Sequence, residues 1–267
     1  MIPTGVASIF SDPYFPLVIQ GVSSACNALG YSVMLWLAEP MYERKTISQI
    51  LYNGLIDGVI VSSMLMDDPL IDRLSESKRP FLTIGRHPTN EKINYVDVDN
   101  RAGAYQGVSY AFRTGRRRVA MIGGPHNTIG GQDRYQGYLD ALQERGLPLL
   151  PELVCEGEFS DTSGYQAMKR LLPQRPDAVF VASDAMALAA MRAIQEAGLR
   201  IPEDMAVIGF DDIPPAATSK PPLTTVRQPI MRTGRTAAEM LIDMIEHPSS
   251  QPRRVVLPTE LVIRSSC

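Results

Sequence analysis

Asp211 and Asp212 stand side by side after an apolar run, and an acidic pair is the first place to look for a metal site or a general base. Adjacent residues at a strand end point to opposite sides, so both carboxylates do not easily converge on one ion and at most one faces a cleft. A carboxylate that accepts hydrogen bonds from hydroxyls is the simpler chemistry. The stretch Gly123-Gly124-Pro125-His126-Asn127-Thr128-Ile129-Gly130-Gly131 follows a predicted strand and precedes a helix, where a phosphate loop belongs. It lacks the lysine and the spacing such a loop needs, which leaves an ordinary strand-to-helix connection. Arg113, Arg116, Arg117 and Arg118 form a basic cluster. They gather at the predicted C-terminus of a helix, where the macrodipole favours cations, and no aromatics interleave them as on a nucleic-acid surface.

Other catalytic signatures are missing. No GxSxG elbow, no GxxxxGK[ST] and no GxGxxG opening a helix occurs. His87, His126 and His247 are far apart and show no metal-ligand spacing. Cys26, Cys155 and Cys267 form no CxxC pair, and an odd count fits a reducing compartment. No catalytic residue, metal or cofactor is expected.

The elements that position these residues alternate between strand and helix. Val6 to Phe10 reads as a strand and Pro13 to Gly30 as a helix, with Leu17, Val18, Val22, Ala25 and Leu29 on one face. Strands are predicted at Tyr31 to Leu37, Asp57 to Val61, Phe81 to Ile84, Asn94 to Val98, Arg118 to Ile122, Ala178 to Ala182 and Met205 to Gly209, then at Val255 to Leu257 and Leu261 to Ile263. Helices are predicted at Thr46 to Tyr52, Pro69 to Ser77, Asn100 to Thr114, Gln132 to Arg145, Asp184 to Ala197 and Arg232 to Glu246. Such alternation forces parallel sheets covered by helices on both faces, and there are too many units for one compact sheet. The fold class is α/β, with two doubly wound parallel-sheet lobes. Ligands of such sheets sit beyond the carboxyl ends of the strands, so the residues to watch follow strands: Ser11 to Phe15, Ser62, Asp99, Gly123 to Arg134, Ser183-Asp184 and Asp211-Asp212.

The chain has 267 residues, 45% hydrophobic and 21% charged, with a formal net charge of −3, which is not the balance of a domain that grips phosphate. The opening MIPTGVASIF has no basic segment before a long apolar run, so no signal peptide is expected. No apolar run approaches membrane-spanning length. A cytoplasmic protein with no membrane partner is the expectation.

Several segments, in order, resemble the LacI/GalR family of transcription regulators, whose core is similar to the type I periplasmic sugar-binding proteins. These are Ser11-Asp12-Pro13-Tyr14-Phe15, Gly30-Tyr31, Asp57-Gly58-Val59-Ile60, Val98-Asp99-Asn100 and Gly115-Arg116-Arg117-Arg118-Val119-Ala120. Closer still are Arg134 to Tyr138, Ser183 to Ala187, Gly198 to Asp204, Val207 to Asp212, Pro221 to Pro229 and Leu261 to Ser265. Gly115-Arg116 stands where the family has Gly-His. The chain also begins almost at the first strand, so the family's helix-turn-helix head is expected to be missing and DNA to be bound only through it.

The resemblance implies a ligand cleft between an N-terminal lobe (residues 1–115 plus about 229–252) and a C-terminal lobe (116–228 plus about 253–267). It also implies the roles around it. Ser11 opens the site, Tyr14 and Phe15 form an apolar wall, and Asp99 sits at the lobe crossover. Arg134 donates to hydroxyls, a carboxylate or a phosphate, and Phe159 stacks. Asp211 accepts hydrogen bonds, supplemented by Ser183 and Gln228. The competing account has Phe15 and Phe159 as core residues and Arg134 paired structurally with Asp133 or Asp99. The implied ligand is a small polar effector, a sugar or sugar derivative, with a purine as the alternative. The implied assembly is a homodimer, with Met64, Leu65 and Met66 as candidate contacts and buried packing as the other reading of them. An exported solute-binding protein for a sugar or nucleoside is the rival function. A doubly wound enzyme ranks below both, since no His lies near Asp99, Arg134 or Asp211 in sequence.

Overall fold

The computed structural model describes residues 12–36, 51–52, 54–62, 65–66, 69–249 and 251–267. The predicted strand Val6 to Phe10, the site candidate Ser11, Leu37, residues 46–50 of the second predicted helix and Met64 lie outside them. The chain divides into two compact units, Met1–Val98 with Pro229–Leu257 and Asp99–Gln228 with Pro258–Cys267.

In the first unit β1 (Val59–Ser62), β2 (Phe81–Ile84), β3 (Tyr95–Val98) and β9 (Arg254–Leu257) form a parallel sheet in the order β1-β2-β3-β9. Val59, Val61, Phe81, Leu82 and Ile84 are all buried, as strands covered on both faces require. Among the described residues this unit has the helices α1 (Tyr14–Ala28), α2 (Pro69–Glu76) and α8 (Ile230–Glu246). At the α1–α8 crossing, a Cβ on Gly21 would strike the Met231 carbonyl and one on Gly234 the Val18 carbonyl. The two glycines let the backbones approach more closely than side chains allow. Tyr31 to Trp36, predicted as a strand, joins no sheet among the described residues, and Val33, Met34 and Leu35 are exposed. Apolar composition alone does not make a ladder.

The second unit holds a six-stranded sheet built from β4 (Val119–Gly123), β5 (Val154–Glu156), β6 (Ala178–Val181), β7 (Ala206–Asp211), β8 (Thr224–Arg227) and β10 (Glu260–Val262). Its order is β10-β8-β7-β6-β4-β5, parallel except for β10, which pairs antiparallel with β8. Its helices are α3 (Asn100–Arg113), α4 (Ile129–Glu144), α5 (Asp161–Leu171), α6 (Asp184–Glu196) and the short α7 (Pro214–Thr218). Strand residues alternate between two cores. Val119, Met121, Phe180, Ile208 and Phe210 pack with Val108, Phe112, Tyr138 and Leu142 from α3 and α4. Ala120, Ile122, Val179, Val181 and Val207 pack with Met168, Leu171, Met186 and Ile194 from α5 and α6. Period-two alternation thus feeds one helix pair on each face.

The expected lobe bounds, 1–115 and about 253–267, place α3 in the first lobe and Val255 to Leu257 in the second. Here α3 belongs to the second unit, because its Gly107 lies flat against Phe180, Val226 and Ile208. β9 belongs to the first unit, because Val96 and Val98 of β3 align with its Val255 and Leu257. Among the described residues no helix is long and apolar enough to cross a membrane.

Candidate functional site

Parallel pairing lines up the carboxyl ends of β4, β6, β7 and β8 along one edge of the second sheet. The chain leaves β4 through the Gly123–Thr128 loop and enters α4, which presents Arg134 over that edge. Arg134 is only 7% exposed. Its Nε donates to the Asn100 side-chain oxygen at 2.9 Å, and its Nη1 donates to the Ala182 carbonyl and lies 3.6 Å from Asp211 Oδ1. The guanidinium carbon sits 3.8 Å from the centroid of the Phe210 ring and 5.7 Å from that of Phe159. A buried guanidinium is tolerable because hydrogen bonds, a carboxylate and a ring face each replace part of its hydration.

Asp211 ends β7 and is 4% exposed. Its Oδ1 accepts a 2.5 Å hydrogen bond from Gln228 Nε2, and Gln228 is itself buried just after β8. The backbone is strained here, with φ of 121° at Asp211 and 58° at Asp212, in the range glycine favours. Asp212 is pinned by Arg227 Nε at 2.7 Å and Arg264 Nη2 at 2.6 Å, while the Gln228 N–H donates to the Asp211 carbonyl at 3.4 Å. The two adjacent carboxylates therefore part: Asp211 joins Arg134 and Gln228, and Asp212 joins Arg227 and Arg264.

Asp184 lies just below, fully buried in the first turn of α6. The Thr225 hydroxyl donates to it at 2.6 Å and the Ile213 N–H at 3.0 Å. Those bonds and the helix N-terminus favour its charged form. Complete burial, with the negative charge of Asp211 beside it, outweighs them and pushes its carboxyl well above the usual carboxylate range.

The structure brings Arg134, Asp211, Gln228 and Phe159 together. Phe159 adopts φ of 55° and seats its ring where a Cβ on Gly124 would lie. Ser183 and Asp99 have local duties as helix caps. The Ser183 hydroxyl caps α6 by accepting from the Met186 N–H at 3.4 Å. The exposed Asp99 caps α3 by accepting from the Ala102 N–H at 3.0 Å. Tyr14 and Phe15 belong to the first unit, at the start of α1, with their rings edge to face at 5.3 Å and Phe15 buried. Ser11 lies outside the described residues. Sequence reasoning pointed to Asp184 among the strand-end residues but missed Asn100 and Phe210, although each directly adjoins a residue it had singled out. Among the described residues no group of three or more His, Cys, Asp or Glu is placed to hold a metal ion. The cluster offers hydrogen-bond donors, acceptors and ring faces, which is the chemistry of recognition.

Comparison with known proteins bears on what is recognised. The family model of the periplasmic binding protein-like domain matches residues 108–267. The HTH-type transcriptional regulator CelR of Thermobifida fusca is 38% identical over 97% of this chain, which spans 77% of that relative. The HTH-type transcriptional repressor PurR of Haemophilus influenzae is 34% identical over 95% of the chain, again spanning 77% of the relative. Among solved structures, a CelR–cellobiose complex superposes with a TM-score of 0.95 at 36% identity, covering 100% of this chain and 83% of its own. A LacI-family regulatory protein from Chloroflexus aggregans gives 0.86 at 33% identity, covering 99% and 94%. The chain belongs to the LacI family of transcriptional regulators, of which it carries the periplasmic-binding-protein-like effector-binding core.

Proposed function

We propose that this chain senses a small sugar or sugar derivative at the strand-end cluster of its second unit, and that occupancy controls DNA binding by a helix-turn-helix segment of the regulator. Arg134 and Asp211 contact the ligand, Gln228 and Asn100 orient them, and the Phe159 ring covers an apolar face of the sugar. The observation that carries the reading is the buried Arg134–Asp211–Gln228 constellation at the carboxyl ends of β4, β7 and β8. Support comes also from the structural neighbour that is a cellobiose complex and from relatives named as HTH-type regulators. A purine is the alternative effector, on the strength of the PurR relatives.

The regulator acts as a homodimer in this proposal. Leu65, one of the residues expected at its interface, is 43% exposed, and Met66 is half-buried. A ligand shifts the protein only by as much as it prefers one conformation, so the signal is the difference in affinity between the DNA-binding and released states. The test is a thermal-shift panel of neutral sugars, sugar derivatives and purines on the full chain, with calorimetry on every hit. Saturable stabilisation by a sugar, weakened in Gln228→Ala, supports the proposal; stabilisation by a purine alone replaces it with the alternative. No saturable response from either class overturns it.

A further inference from the structure

We infer that the site takes an uncharged, hydroxyl-rich ligand and excludes the phosphorylated or carboxylate forms of the same sugar, because its cations and the N-termini of α3 to α6 are already matched by the chain's own oxygens. This rests on the sugar-sensing reading above and narrows it to one charge class.

The cations come first. Arg134 has Asp211 at 3.6 Å; Arg227 and Arg264 share Asp212 at 2.7 and 2.6 Å, and Arg227 also has Glu260 at 3.4 Å, so three carboxylates face three guanidiniums. In the first unit the arginine that follows β2 shows the same habit, with Arg86 3.3 Å from Asp97. An incoming anion finds no guanidinium in the cluster whose charge is uncompensated. It would sit instead near Asp211 in a buried setting where water screens little.

Helix N-termini are the other common anion site, through unpaired N–H groups and the dipole. In the second unit the four longer helices, α3 to α6, are each closed by their own cap. Asp99 accepts from the third residue of α3, and Thr128 Oγ1 accepts from Gly131 at the start of α4 at 3.2 Å. Ser160 and Ser163 form a reciprocal capping box on α5. Ser183 caps α6, and Asp184, a buried acid, fills its first turn. A phosphate would have to displace one of these caps.

The chemistry of the site suits hydroxyls. The Arg134 guanidinium and the Asp211 carboxylate, the ligand contacts of that reading, set a donor beside an acceptor, which matches groups that both donate and accept. The Phe159 ring can cover a C–H face. An uncharged ring exchanges water for these partners without importing charge.

The experiment measures affinity of the full chain for matched pairs by titration calorimetry: glucose beside its phosphate ester and gluconate, cellobiose beside cellobionate. The neutral member should bind and the anionic member should be weaker by about tenfold or more. In Asp211→Asn, which removes the counter-charge of Arg134, the penalty against the anionic member should shrink. If that variant does not fold, the wild-type ratio still decides. An anionic member that binds the wild type as tightly as its neutral twin overturns the inference and leaves the sugar-sensing proposal standing. Silence toward every sugar, neutral or charged, overturns that proposal and the inference with it.

Discussion

Replacing Arg134 by methionine keeps the length of the stem but removes a charge that is buried on every side. The side chains of Arg134 and Asp211 are 9% and 5% exposed, so neither can turn to water when its partner is lost. Arg134→Met also leaves the Asn100 oxygen and the Ala182 carbonyl without their donor, and vacates the face of Phe210. Breaking a buried pair from one side costs about 3–5 kcal/mol, which for a unit of this size lowers the melting midpoint on the order of 10 °C. Asp211→Asn should cost less, since the amide oxygen can still accept from Gln228 and the guanidinium keeps its other acceptors. The double variant carries no unpaired charge, so it should be more stable than the sum of the two losses implies, by about 2 kcal/mol. Urea denaturation of the four proteins measures that coupling. Additive losses, or an Arg134→Met protein as stable as wild type, would refute the idea that this pair is a buried, mutually dependent unit.

Asp184→Asn tests the other buried acid. A carboxyl whose folded pKa is raised contributes stability that is complete below its ordinary value and is lost as pH rises through the folded value. Melting curves from about pH 4 to 8 should therefore show the variant gaining on wild type as pH increases; parallel curves would count against it. Gly137→Ala puts a Cβ against the Arg101 carbonyl and 2.8 Å from both the Ala104 Cβ and the Tyr105 nitrogen, so overpacking should cost about 1–3 kcal/mol in urea. Gly124→Ala should be costly too, because the Phe159 ring fills the space, and binding of the sugar should weaken with it. Arg264→Ala removes a 2.6 Å partner of Asp212 and the donor to the Leu223 carbonyl at 2.8 Å. It should lower stability by about 2–3 kcal/mol and reduce ligand affinity by loosening the strained Asp211–Asp212 turn, read by calorimetry on the folded variant.

Much of the fold was legible because apolar strand runs and helix faces carry strong periodic signals. Phe81 to Ile84, Ala178 to Val181 and the α6 and α8 helices lie close to where their patterns put them. Which sheet an element joins was not legible. α3 has apolar and glycine positions that would suit either sheet, and its place is set by the fit of Gly103 and Gly107 against Phe210 and Phe180. Val255 to Leu257 could pair on either side of a chain crossing, and only the register with β3 decides. The three-residue β5 and the short helix α7 offered too few positions for a period to emerge. At the site, Asp211 stood out by charge and by strand-end position, and Arg134 by the family resemblance of its helix start. Asn100 did not, because a polar residue after a helix cap reads as solvent-facing. Asp99 and Ser183 carry helix caps as well, a duty that small polar residues at strand ends often serve.

The most direct test of the account is a crystal structure of the chain with the neutral sugar that stabilises it best. The account predicts ring hydroxyls within hydrogen-bond distance of both the Arg134 guanidinium and the Asp211 carboxylate, with the Phe159 ring against the sugar. A sugar bound elsewhere, with Arg134 and Asp211 touching only each other and their protein partners, would contradict it.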